Sequence, residues 1–480
     1  MDNEVTLIMK MVAAKQISAQ MANKILQMLD SFKKEGNPDL GQQLIRQLVK
    51  SFDEKQNNNK DVVFTDDLPN EPQIEIIRDL RDGTHLLIEQ KSGNIVIQGW
   101  EKDYIYAKSE GGVNSLAIKR KENQLKFSGY NDILLYIPDS IAKVTLFSGT
   151  GIVDIDSCPG EVAVYSSSGN VEIRKSNEIV KATTSKGNIF IEDCSNSLFL
   201  RSKTGDIFTK LQEEDYIYQD IKQNKSDILL ADIQTDTGDV SLMGLNIPIK
   251  AKSGTGNIQV AKCRNTEMDI QAGNNITLTD VGDDISVKAH EGNIEIEEFS
   301  GKLRIESHKS EICLRKTGDA EINIQSDSGD IFIQDCYADL NIKSREGNVS
   351  VSGKNLSFGG MGKIRLDIVS GNINLSRRTF EDIKINLENG DVKLDMEKLL
   401  TDAEARINVI KGNVTVKMSP DASCQVSTHA LPESTKVELP IKIMETDREN
   451  ISGVMNGGKS TINLNAPNGE IRLLKLLDIN

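Results

Sequence analysis

Gly169-Asn170-Val171-Glu172-Ile173, Gly187-Asn188-Ile189-Phe190-Ile191 and Gly205-Asp206-Ile207 carry the pattern that decides the fold. Apolar residues at alternate positions make a short strand with one buried face. The glycine ahead of it supplies a backbone conformation that other residues reach poorly. The Asn or Asp that follows tolerates the left-handed region and can bond its own backbone. Each copy is therefore a corner followed by a strand, and successive corners stand 18 residues apart at 151, 169, 187 and 205.

The pattern extends in both directions. Gly93-Asn94-Ile95-Val96-Ile97 precedes it. Gly238, Gly256, Gly292, Gly329, Gly347, Gly371, Gly390 and Gly412 open later copies, and Gly469-Glu470-Ile471-Arg472-Leu473 comes near the end. Gly273-Asn274-Asn275-Ile276 fills the gap between Gly256 and Gly292, and Ser310-Glu311-Ile312-Cys313-Leu314 the gap between Gly292 and Gly329. A second strand falls half-way through many steps, as in Lys302-Leu303-Arg304-Ile305 and Asp339-Leu340-Asn341-Ile342. Off-phase corners at Gly282-Asp283-Asp284-Ile285 and Gly318-Asp319-Ala320-Glu321-Ile322 mark some of these.

A coil of this size cannot bury its own apolar face and must stack on a neighbour. The fold class expected is a mainly β chain, a parallel β-solenoid (β-helix) of about 18 residues per coil, with a small N-terminal α-helical domain. Residues 151 to 412 make about 14 coils, or a rod of ~70 Å at the usual strand spacing. Short strands with frequent turns also suit antiparallel sandwiches, but the sustained equal step favours the solenoid. The chain has 480 residues, 38% hydrophobic and only 4% aromatic, which suits a narrow interior filled by Ile, Val and Leu.

Six cysteines, at 158, 194, 263, 313, 336 and 424, form no C-x-x-C pair. Cys158, Cys194, Cys263 and Cys336 each follow a corner glycine by seven residues, a column that elsewhere holds Leu245 and Phe299. That column reads as inward-facing, with Cys as a small buried hydrophobe. His85, His290, His308 and His429 show no pair at metal-ligand spacing in the sequence. Asp193 and Asp335 share a column beside inward cysteines, while Asp206, Asp239, Asp330 and Asp391 alternate with Asn at the corners, where a turn role explains them. No catalytic, cofactor-binding or metal-ligating residue is assigned. The Gly-Gly-x-Gly-x-Asp spacing of calcium-binding coils is missing.

A net charge of −15 argues against a nucleic-acid partner. The first 30 residues have no uninterrupted apolar stretch of signal-peptide type, and no apolar run approaches a membrane span. A cytoplasmic location is expected, with surface export by a non-classical route as the alternative.

Residues 1–52 differ in period. Met21, Ala22, Ile25, Leu26, Leu29 and Phe32 form a helical apolar stripe after Ser18, and Leu40, Leu44, Ile45, Leu48 and Phe52 suggest another helix. The segment carries seven Lys+Arg against five Asp+Glu. It is expected to pack on itself or on a second copy, with a membrane surface as the alternative. Residues 53–72 read as a flexible linker, and 73–480 as the repeat domain. Interruptions at about 211–236, 353–370 and 418–468 read as surface loops or an end cap, with Gly359-Gly360-Met361-Gly362 as a flexible corner.

The segment from Ile8-Met9-Lys10-Met11-Val12 to Ile17-Ser18-Ala19-Gln20 resembles the SHOCT-like helical domain that opens YvlB- and LiaX-like bacterial proteins. Ser92-Gly93-Asn94-Ile95-Val96-Ile97-Gln98-Gly99-Trp100-Glu101-Lys102-Asp103 and the copies after it resemble the bacterial adhesin-like β-strand-repeat family. The resemblance implies a non-enzymatic β-solenoid linked to the cell envelope or its stress response, and it carries over no catalytic residues. The function expected is a rigid interaction scaffold, bound to a protein partner or to itself, whose helical head oligomerises or docks. The alternatives are a filament built by end-to-end stacking and a polysaccharide-acting β-helix enzyme, which would need clustered carboxylates on one face.

Overall fold

The structure, a computed structural model, describes residues 72–110, 115–211, 229–264, 266–353 and 362–476. The segment expected to form a helical head (1–52), nearly all of the expected linker (53–72) and Gly359-Gly360-Met361 lie outside these residues. Met1–Pro69 and Asn70–Asn480 are separate compact units, and only the second is described here.

That unit is a β-solenoid with two parallel sheets facing each other across one apolar interior. A single winding shows the plan. Strand Glu161–Ser168 runs in the first sheet, the chain turns at Gly169, and Val171–Arg174 runs in the second sheet. The chain turns again at Lys175 and enters Val180–Thr184, one rung further along the first sheet. Val162 stands beside Val180, and Val171 beside Ile189, so the 18-residue step of the sequence is the rung-to-rung register. The alternate apolar residues Val171, Ile173, Ile189 and Ile207 are wholly buried.

The corner glycines line up in a file along the stack. A Cβ on Gly169 would be driven into the carbonyl oxygen of Gly151, one on Gly187 into that of Gly169, and one on Gly205 into that of Gly187. Close backbone approach and, at Gly169 (φ 131°) and Gly187 (φ 148°), a positive φ both require glycine here. Ser310 holds the file position in its own rung, since a Cβ on Gly329 would meet the Ser310 carbonyl. In the rung between Gly256 and Gly292 the expected corner shifts by one. Gly273 stacks on Gly254, and the backbone of Asn274 lies beneath Gly292.

Two strands depart from the expected plan. Ile276–Glu291 and Ile294–Lys309 each run unbroken from the second sheet into the first. Gly282-Asp283 is therefore inside a strand, not at the start of one. Asp280 (φ 56°) and Asp283 (φ 80°) make the left-handed steps that bend it.

The interruptions leave the stack intact. Leu198 pairs directly with Ala231, and Leu340 with Ile364, so extra residues leave and return at a corner. The region 418–468 is an end cap made of strands. Cys424–His429 forms the outermost parallel rung, Asn450–Met455 pairs antiparallel to it, and Lys442–Thr446 pairs antiparallel beyond that. The chain then returns, and Ser460–Asn465 slots between Glu404–Lys411 and Cys424–His429. The other end is built the same way. Thr84–Gln90 lies between Gln124–Gly129 and Ile141–Thr150, and antiparallel strands Leu116–Lys121, Ile105–Ser109 and Gln73–Ile77 close the stack. Among the described residues no helix is long and apolar enough to cross a membrane.

Candidate functional site

In a solenoid each outward position repeats at every rung, so side chains 18 residues apart become neighbours in axial files. The corner Asn/Asp file is a hydrogen-bond ladder. Asn170 Oδ1 accepts the backbone N–H of Asn188 (3.0 Å), Asn188 Oδ1 that of Asp206 (2.9 Å), Asp206 Oδ1 that of Asp239 (2.8 Å), and Asp239 Oδ1 that of Asn257 (2.7 Å). The same bond links Asp330 to Asn348, Asn348 to Asn372, Asn372 to Asp391 and Asp391 to Asn413. An amide carbonyl and a carboxylate oxygen can both accept this bond, which is why Asn and Asp interchange. Asp206, Asp239, Asp330 and Asp391 are thereby committed to joining rungs.

A second ladder escaped the reading of the sequence. Ser253 Oγ donates to the Gly238 carbonyl (2.7 Å) and accepts the N–H of Gly256 (2.9 Å), and Thr235 and Ser202 do the same one and two rungs earlier. The signal was present as a Ser or Thr three residues before each of these glycines.

The cysteine column points inward as expected. Cys158, Cys194, Cys263 and Cys336 are buried together with Leu245 and Phe299. Burial pushes the thiols of Cys158 up to about 11 and of Cys194 and Cys263 up to about 12, so they stay protonated and unreactive. Asp193 (φ 54°) and Asp335 (φ 53°) stand immediately before that column and make the second, left-handed corner, in file with Lys175, Lys262 and Lys316. Asp193 and Asp335 are thus corner residues of the second turn.

Three of the outward clusters among the described residues bear on binding. A shallow hollow of about 560 Å3 lies on the first sheet. Lys250, Asp269, Ser286, Arg304 and Asn323 run along it as one file on successive rungs. Asp284, Lys302 and Glu321 form a parallel file. Charges of both signs alternate along the stack axis, a layout that suits an extended ligand.

The second cluster gathers the one tryptophan with three tyrosines near the N-terminal cap. Trp100 stacks on Tyr136 (5.0 Å between ring centres) and meets Tyr104 edge-on (4.9 Å), while its Nε1–H donates to the Tyr104 carbonyl (2.9 Å). The Lys102 ammonium lies 4.7 Å from the Trp100 ring centre, and Arg78 lies over Tyr104. The third is a stack of His290 on His308 (5.3 Å), with His308 bonded to Asp327. These histidines are one coil apart in sequence, so the stack was legible only once the coil length was applied to them. Among the described residues no group of three His, Cys, Asp or Glu side chains is placed to hold a metal ion.

A solved structure of a proposed cell adhesion protein from Clostridium sporogenes aligns over 85% of this chain and 99% of its own, at 10% identity and a TM-score of 0.13. No curated protein matches. A family model described as Toastrack DUF4097 matches residues 274–474, so the likeness to a β-repeat family rests on the C-terminal part of the stack and does not reach residues 1–52.

Proposed function

We propose that the chain is a non-enzymatic interaction scaffold that presents the first sheet, with its mixed-charge hollow, to an extended segment of a partner protein. The observation that carries this reading is the fate of the repeated polar residues. Corner Asn, Asp, Ser and Thr are spent on rung-to-rung bonds. What they stabilise is a rigid face with a fixed spacing of ~4.8 Å per rung. Rigid, pre-formed surfaces lose little entropy on binding.

The resemblance of residues 1–52 to SHOCT-like heads, and of the repeats to the adhesin-like family, supports a finer reading. The scaffold serves the bacterial cell envelope or its stress response, from the cytoplasmic side, and the head docks on a protein or a membrane surface. The end caps favour this scaffold over a filament, because end-to-end stacking requires open parallel rungs, and three of the four terminal strands pair antiparallel while the fourth, Thr435–Val437, is a parallel strand of only 3 residues.

The test is photo-crosslinking in cells, with a photoreactive residue placed at Arg304 in the hollow or at Thr277 on the opposite sheet of the full chain. A discrete adduct from position 304 that is missing from 277 is expected. No adduct at 304, or equal adducts at both, would refute the reading.

A further inference from the structure

Among the described residues the stack has four terminal edges, and three of them are blunted against strand addition. Leu116–Lys121 carries Lys119, Arg120 and Lys121. Lys442–Thr446 has an irregular register between Ile443 and Glu445. Thr435–Val437 is only 3 residues long. Charge, bulges and shortness are the usual protections of an edge. The fourth edge, Gln73–Ile77, has no bulge, is 5 residues long and carries a single charge, Glu75. Its register with Ile105–Ser109 is regular throughout, it contains no Lys, Arg or Pro, and among the described residues it pairs on one side only.

This edge is also apolar and held in place. Ile74 and Ile76 are 51% and 52% exposed on one face. Ile76 stands beside Tyr106, and Tyr106 beside Tyr136, so the apolar stripe continues across the sheet to the Trp100 cluster. The Gln73 side chain donates to the Leu116 carbonyl and accepts the Leu116 N–H, both at 3.0 Å, which ties this edge to the neighbouring one. An extended strand already fixed in place loses little entropy when a second strand joins it.

We propose that this edge pairs antiparallel with the same edge of a second copy of the chain, forming a closed two-fold dimer. The occupant needs an isoleucine-like residue opposite Ile76 and a side chain with an apolar stem opposite Ile74, and in a second copy Ile76 itself and Arg78 supply them. Charge selects the register. Centring the two-fold on Glu75 would set two carboxylates face to face, which is unfavourable. Centring it on Ile76 puts Ile76 on Ile76 and Glu75 opposite Ile77, and it joins the two apolar stripes into one. A two-fold contact of this kind uses up the exposed edge on both copies and stops at two. The inference is independent of the scaffold reading.

The test uses the full chain at about 20 μM. Light scattering is expected to give twice the 53.0 kDa chain mass. The double variant Ile74→Lys/Ile76→Lys should be a monomer with an unchanged circular-dichroism spectrum. Ile76→Cys should form a disulfide-linked dimer under mild oxidation, because facing Cα atoms lie within bridging distance, whereas Glu75→Cys should not. A monomeric wild type, a dimer indifferent to the two lysines, or a cross-link at 75 in place of 76 each overturns the proposal. The second of these outcomes would assign the contact to another surface, the N-terminal segment included. The cysteine pair reports even if the lysine variant fails to fold.

Discussion

Gly187 cannot carry a side chain for two separate reasons, a φ of 148° and the carbonyl of Gly169 in the path of a Cβ. Neither can relax without moving a neighbouring rung. Gly187→Ala is therefore expected to cost about 2–4 kcal/mol in urea unfolding, the range of severe backbone strain. The second corner is different. Lys175 already sits at φ 52° with its Cβ in place. Lys175→Gly relieves ~1 kcal/mol of left-handed strain and adds a similar entropy cost, so the same measurement should show a change within about 0.5 kcal/mol. Asp206 gives a pH test. Burial, and then the charge of Asp239 on the next rung, hold its carboxyl above its usual range. A raised acid stabilises the fold fully below its unfolded value of ~3.9, and that contribution is lost as pH rises through the folded value. Asp206→Asn, which keeps the ladder bond, should be more stable than wild type at pH 7 and indistinguishable from it below about pH 4. A less stable variant at pH 7 would contradict the ladder role. The sequence displayed the Asn/Asp alternation but not the ladder, because the bonded partner is 18 residues away and a local turn explains the same residue types.

At the scale of elements, the strands and inward column were legible because they obey a local rule: alternation within a strand and one step between strands. The C-terminal cap was legible as a break in the repeat at 418–468, but its strand order and the N-terminal cap were not. The cap strands pair antiparallel at separations that follow no period, as Cys424 with Met455 does, and nothing in Lys442–Thr446 distinguishes it from a rung strand. The interlocked order was equally hidden, since only the assembled sheet shows that Ser460–Asn465 lies inside Cys424–His429. This order has a measurable consequence in hydrogen exchange. Amides near the end of a chain usually exchange fast. Here Ile462 and Leu464 are buried between two rungs and should exchange as slowly as Ile407, while Lys442–Thr446, exposed along its length, should exchange orders of magnitude faster. Fast exchange at Ile462 would mean that the last rung is added outside the stack.

At the scale of the whole stack, each rung touches only the rung above and the rung below, so its stability is a sum of neighbour terms. The two ends are braced by chain that doubles back, whereas the middle is a plain succession of windings. A local fault in the middle should therefore spread outward and halt before the caps. Gly256→Ala supplies such a fault, because its Cβ would collide with the Gly238 carbonyl. Limited proteolysis of this variant at intermediate urea should cut first within the rungs around 240–275 and leave two resistant fragments, one from each end. The spectroscopic and proteolytic transitions should then fail to coincide. A globally cooperative fold would instead lose every fragment in one step, with coincident transitions, and that result would show that the facing sheets transmit strain along the whole stack.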